Sequence, residues 1–158
     1  MNKEELEKQV RESSEKKGAN IVGANLKGAN LKQGYFEEAD FDGADLEGAN
    51  LEESDLSFAS LKSANLLDSN LKKTNLERAD LRFALFCGAD MQGADLAFSD
   101  LREADLSYAD LSYADLREAD LRGATMEGTK LKNTNLKGAL ITFHGLTIKI
   151  EKTTLTQH

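Results

Sequence analysis

The sequence predicts an all-β protein wound as a solenoid, a chain of stacked coils, and three observations carry that prediction. From Ile21 to Leu146 every fifth residue is large and apolar, Leu nineteen times in twenty-six and otherwise Ile, Phe or Met. Two residues before it stands Ala in eighteen of the twenty-six, and a small residue in all the others except His144. No insertion or deletion breaks the phase over residues 19 to 146. A helix returns a side chain to one face every three or four residues and a strand every two, so strict fives fit neither. A short period held this long describes a unit with one extended side and one turn, repeated so that coils stack.

Residues 1–18 are expected to form a short N-terminal helix that caps the first coil. Asn2 and Glu5 make a capping-box pattern, Leu6 and Val10 share a helical face, and Gly18 supplies a stop. Residues 19–146 form the body. In each unit the small and the large residue point to the same side of an extended segment, giving an inner row of Ala and a core of larger side chains. Leu46, Leu66, Phe86, Leu106, Leu111 and Leu116 belong to that core. A β-branched residue at the small position is expected to be excluded for lack of room, with Thr74, Thr129 and Thr134 as mild exceptions, and His144 is expected to close the core at the last coil. The residue between the small and large positions is Asp eleven times and Asn eight, which suits a corner, since Asx side chains accept hydrogen bonds from nearby backbone N–H groups. Residues 147–158 are a C-terminal cap or tail. Their stretch TIKIEKTTL alternates like a strand, so it either covers the last coil or pairs with another subunit, the second of which would make a homodimer through this end.

Charge patterning leaves the number of sides open. Lys32, Glu52 and Lys72 alternate at a spacing of twenty, but Lys32, Glu47, Lys62 and Glu77 alternate equally well at fifteen.

Units such as Ala44-Asp45-Leu46-Glu47-Gly48 and Ala109-Asp110-Leu111-Ser112-Tyr113 resemble those of the pentapeptide-repeat family, and the resemblance covers about four-fifths of the chain. It implies a right-handed quadrilateral β-helix with one coil every twenty residues, hence about six coils. It also implies a candidate activity, because well-studied bacterial members mimic duplex DNA, bind DNA gyrase, a type II topoisomerase, and confer quinolone resistance.

Composition excludes several function classes. The net charge of −8 opposes a broad nucleic-acid footprint, which needs a basic face. The single cysteine rules out an internal disulfide, no apolar run approaches the length of a membrane span, and the N-terminus lacks the features of a signal peptide. A cytoplasmic location is the resulting expectation, with no membrane and no direct nucleic-acid partner. His144 and His158 lie near the chain end, and there is neither a phosphate-cradling glycine loop nor a Cys/His metal spacing. No catalytic residue, metal or cofactor is therefore expected.

Three surface features remain. Asp90, Asp95, Asp100, Asp105, Asp110, Asp115 and Asp120 form an unbroken run at the corner position, and with Glu103 and Glu118 they outweigh Arg102 and Arg117. Stacked like charges are expected to repel and to raise some of these pKa values. Leu85 replaces Asx in RFALFCGAD, and with Leu67, Phe83 and Cys87 it makes a candidate apolar partner patch. A register of twenty would also stack Phe58, Arg78 and Phe98 into a ladder. The expected function is a non-catalytic protein-interaction scaffold presenting a rigid acidic surface to a protein partner. The alternative is a DNA mimic directed at gyrase.

Overall fold

The computed structural model describes residues 17–151 together with residues 4, 7, 8, 10 and 12. Parallel bridges join each corner residue to the one twenty positions on, from Asn20↔Asp40 without a gap to Asp115↔Asn135. One coil therefore contains four five-residue units. Four columns of core side chains result, beginning at Ile21, Leu26, Leu31 and Phe36, and they are called here the first to fourth faces. The fifteen-residue alternative is closed by the ion pairs, which join Lys32 to Glu52 at 3.1 Å, Lys27 to Glu47 at 2.7 Å and Lys62 to Asp42 at 2.9 Å.

The backbone of one unit shows why each position has its character. In the unit after Asn20, the Ile21 N–H donates to Asp40 O (2.7 Å) and the Gly23 N–H to Asp42 O (2.9 Å), both in the next coil. The Ala24 N–H closes a turn on Ile21 O. That leaves the N–H of Val22, which donates to the Asn20 side-chain oxygen. The Asx residue thus satisfies the one donor that the coil cannot, and a buried or half-buried N–H left unmade is costly. Tyr35, Leu85, Thr125 and Lys130 have no such carboxyl or amide group. Among the described residues, no acceptor meets the N–H of Glu37, Cys87, Glu127 or Lys132.

The third residue of each turn has positive φ, the pattern of a type II turn. Glycine suits that position, yet Ser63 holds it at φ 56° and Phe58 at 57°. A non-glycine residue in the left-handed region is strained by about 1–2 kcal/mol, against roughly 0.5–1 kcal/mol of extra chain entropy lost by glycine. Ser63 is exposed and its hydroxyl makes no hydrogen bond among the described residues. Ser63→Gly is therefore expected to raise the urea midpoint modestly. A lower midpoint would show that this corner is unstrained.

Inside, Leu46, Leu66, Phe86, Leu106, Leu111 and Leu116 are fully buried. Threonine fits the inner row by making a bond that serine does not. Ser54, Ser69 and Ser99 donate three residues back, to Leu51, Leu66 and Leu96 O, across the turn they close. Thr74, Thr129 and Thr134 instead reach one coil back, to Leu51, Leu106 and Leu111 O, at 2.7–2.8 Å. The room expected to be missing is available because the hydroxyl bridges coils.

Much of the N-terminal segment, including Asn2, Glu5 and Leu6, lies outside the described residues, as does the tail after Glu151. Val10 is buried in the core cluster, and a Glu7 carboxylate oxygen accepts the Asn30 N–H at 2.8 Å. At the other end the repeat gives way to a hairpin. Strand β1, Asp120–Leu121, pairs in parallel with β2, Leu140–Phe143, and β2 pairs antiparallel with β3, Leu146–Lys149. His144 and Gly145 both have positive φ, as a two-residue type I′ hairpin turn requires. This corrects the expectation for His144, which is exposed at the turn and closes no core. Leu146 has the phase of a core residue but is exposed for the same reason.

Candidate functional site

The coil wraps the aspartate run around the rod. Asp90 and Asp110 lie on the third face, Asp95 and Asp115 on the fourth, Asp100 and Asp120 on the first, and Asp105 alone on the second. Most of them hold a cation. Arg102 pairs with Asp100 and Arg122 with Asp120, each at 2.6 Å, while Arg117 pairs with Asp115 at 2.7 Å. Asp90 meets Lys72 at 2.8 Å and Asp110 meets Lys130 at 3.4 Å. Weaker contacts of 3.7 Å, Arg82 to Asp100 and Arg102 to Asp120, link the coils of the first face into a zipper of alternating sign. Among the described residues, Asp95 and Asp105 meet no cation, and each accepts a backbone N–H at 3.0 Å, from Ala97 and Ser107.

These partners reverse the expected pKa trend. Burial works to raise Asp80 and Asp110. It is outweighed by the Arg82 guanidinium and N–H at Asp80, and by Ser112 and Lys130 at Asp110, so both are held below the usual carboxylate range. At Asp120 the Arg122 hydrogen bond is the largest influence and the carboxyl is again lowered. At Asp80, Asp110 and Asp120 attraction to the neighbouring cations and N–H groups therefore outweighs repulsion from stacked carboxylates. A carboxyl depressed in the folded state contributes stability that is present above its unfolded pKa, about 4, and lost as pH falls through the lower folded value. Asp120→Asn should accordingly cost stability at pH 6, with the difference from wild type shrinking below about pH 4. A gap that stayed constant to pH 2 would sink this account.

The apolar residues do come together. Phe83, Leu85 and Cys87 follow one another along a single coil, with Phe83 at its corner, and Leu67 lies one coil below Cys87, about 4.8 Å away. Phe83 is 55% exposed and Leu85 41%, with Leu67 and Cys87 half-buried. Three further residues surround them. Asp105 bridges directly onto Leu85 from the coil above. Glu103 stands at the corner over Phe83, and Asp68 follows Leu67. Among the described residues none of these three carboxylates meets a cation, in contrast to the paired aspartates of the first face. From Asp45 to Glu127 the second face holds no Lys or Arg at all. Asp68 and Glu103 are the neighbours that sequence reasoning does not attach to the patch, although Asp68 directly follows Leu67 and a coil of twenty sets Glu103 over Phe83. The open Cys87 N–H could have been inferred from Leu85 alone.

The ladder is present, with the Arg78 guanidinium 5.6 Å from the Phe58 ring centre and 5.3 Å from that of Phe98. It ties three coils at one corner. Elsewhere, an open depression of about 520 Å³ is bordered by Gln33, Gly34, Tyr35, Glu53 and Asp55. Among the described residues no three His, Cys, Asp or Glu side chains are grouped to hold a metal ion, and no helix is long and apolar enough to cross a membrane.

A family model described as pentapeptide repeats matches in eight copies, over residues 19–57, 39–78, 64–97 and 99–138. No curated protein gives a significant match. Among solved structures, HetL of the cyanobacterium Nostoc sp. strain PCC 7120, a pentapeptide repeat protein involved in regulating heterocyst differentiation, is 27% identical over 79% of this chain and 88% of its own, with a TM-score of 0.37. A trypsin-treated form of QnrB1, a plasmid-mediated fluoroquinolone resistance protein, is 20% identical over 79% of this chain and 73% of its own, at 0.49. A pentapeptide repeat protein from the thylakoid lumen of Arabidopsis thaliana is 28% identical over 84% and 68%, at 0.35.

Proposed function

The chain belongs to the pentapeptide-repeat family, and from that premise we propose that it is a non-catalytic protein-interaction module, wound right-handed as the family implies, which docks a protein partner on its second face. One observation carries this reading. Leu85, Leu67 and Cys87 gather on the second face with Phe83 at the corner beside them, and Leu85 does so at a position where Asn or Asp would complete the backbone hydrogen bonding. An exposed apolar residue held at the expense of a local bond is better explained by an interface than by folding. The carboxylates whose pKa shifts, Asp42, Glu53, Asp80, Asp110 and Asp120, all shift down, so they serve as anions and not as proton donors near neutrality. The half-exposed free thiol of Cys87 supports a reducing compartment, and we place the protein in the cytoplasm.

A second reading, mimicry of DNA directed at gyrase, is favoured by the aspartate run. It is opposed by the spread of those residues over four faces and by their Arg and Lys partners. A homodimer through the hairpin is a further proposal, supported by Leu146 and Ile148, which are both exposed on β3.

Affinity capture from the source cells, at low and high salt, separates the first two readings. A partner retained at high salt by the wild type and lost by Leu85→Asn supports docking at the patch. Inhibition of gyrase supercoiling that disappears in Asp100→Asn/Asp110→Asn/Asp120→Asn would replace it with mimicry.

A further inference from the structure

We infer that the occupant of the second face is a basic amphipathic protein segment, whose apolar side chains cover Phe83, Leu85, Leu67 and Cys87 while its Lys or Arg residues meet Asp68, Glu103 and Asp105. This inference rests on the docking reading above and adds the partner's charge.

Charge complementarity carries it. On the first face every aspartate from Asp80 to Asp120 is ion-paired with an arginine of its own unit, so its charge is already spent. Around the patch, Asp68, Glu103 and Asp105 have no cation among the described residues. These three carboxylates stand beside three different members of the apolar group. Arg82 and Arg102, next to Phe83 and Glu103 in the chain, lie on the first face and are already held by Asp80 and Asp100. The rim on the second face is acidic, and it steers and orients an oppositely charged partner while the apolar centre supplies most of the affinity. An acidic partner would meet uncompensated like charge, and a nucleic acid would meet the same repulsion at every phosphate. The Cys87 N–H, unmet at the middle of the patch, offers a donor to a backbone carbonyl of an incoming extended or turned segment.

Leu85→Asn tests the inference without threatening the fold. It restores the consensus residue and offers the Cys87 N–H an acceptor, so its stability should equal or exceed that of the wild type. The probe is a fluorescein-labelled amphipathic peptide of leucine and lysine, compared with the same peptide carrying glutamate for lysine, by fluorescence polarisation at physiological salt on the full-length protein. Expected are saturable binding of the leucine–lysine peptide only, at least about tenfold weaker binding to Leu85→Asn and to Asp68→Asn/Asp105→Asn, and no change for Asp40→Asn/Asp55→Asn. The last variant removes two carboxylates on other faces that meet no cation among the described residues. If binding depends on Leu85 but Asp68→Asn/Asp105→Asn binds as the wild type does, or if the glutamate peptide binds equally, the basic partner is overturned and the docking face stands. If binding is absent or indifferent to Leu85, both fall.

Discussion

Replacing Leu76 with alanine will lower stability by about 3 kcal/mol. The side chain is fully buried in the fourth column, with Leu56 one coil below and Leu96 one coil above. The backbone around it cannot close the space, since the Leu76 N–H is held to Asp95 O at 2.7 Å and the Asn75 N–H to Ser54 O at 2.9 Å. A cavity that cannot collapse costs its full volume in lost contacts. Leu131→Ala, at a half-buried position of the last coil, should cost about 1 kcal/mol, because the lost area is smaller and less is packed around the side chain. Urea unfolding followed by circular dichroism reads both. Equal losses would contradict a last coil held less firmly than the middle.

Gly34→Ala will destabilise by about 1–3 kcal/mol, and Phe36→Leu will recover much of the loss. Gly34 is the lone glycine in the inner row. The reason lies in its neighbour: a Cβ there would overlap the Phe36 ring. Phe36 and Phe41 occupy adjacent faces of the core, edge to face with ring centres 5.4 Å apart and planes at 80°. That packing directs the Phe36 ring over Gly34, into the space alanine fills in other units. In the double variant the unit carries the small–large pair, Ala with Leu, that most others use. Additive losses in the double-mutant cycle would show that the two residues are not coupled.

Much of this fold was legible because one period controls it. The large residue, the small residue and the corner Asx each follow from a single position in the unit, and each occupies the expected environment. Coil length was not legible, because Lys32 has a glutamate both fifteen and twenty residues on, and only the stacked backbone selects Glu52. The period misplaces His144 because Leu146 keeps the phase after the turn geometry has changed. The pKa trend is hidden in the sequence because Asp120 and Arg122, two apart around a corner, turn their charged ends toward each other. Within the candidate site Leu85 stood out as a broken rule. The carboxylates beside it, Asp68 and Glu103, lie at variable positions that no rule marks.

The twenty-residue spacing of stacked corners also limits how such a chain can lengthen over evolution. Inserting one extra unit of five would leave the apolar rhythm intact, yet it would rotate everything downstream by a quarter turn. An insertion between Asp42 and Lys62 would part that ion pair, and one between Phe58 and Arg78 would dismantle the aromatic ladder. Copying twenty residues would preserve every vertical partnership beyond the copy. Growth by whole coils is therefore the tolerated step, and any surface pattern that spans several coils, the patch around Leu85 included, can be inherited intact only through changes in multiples of that length.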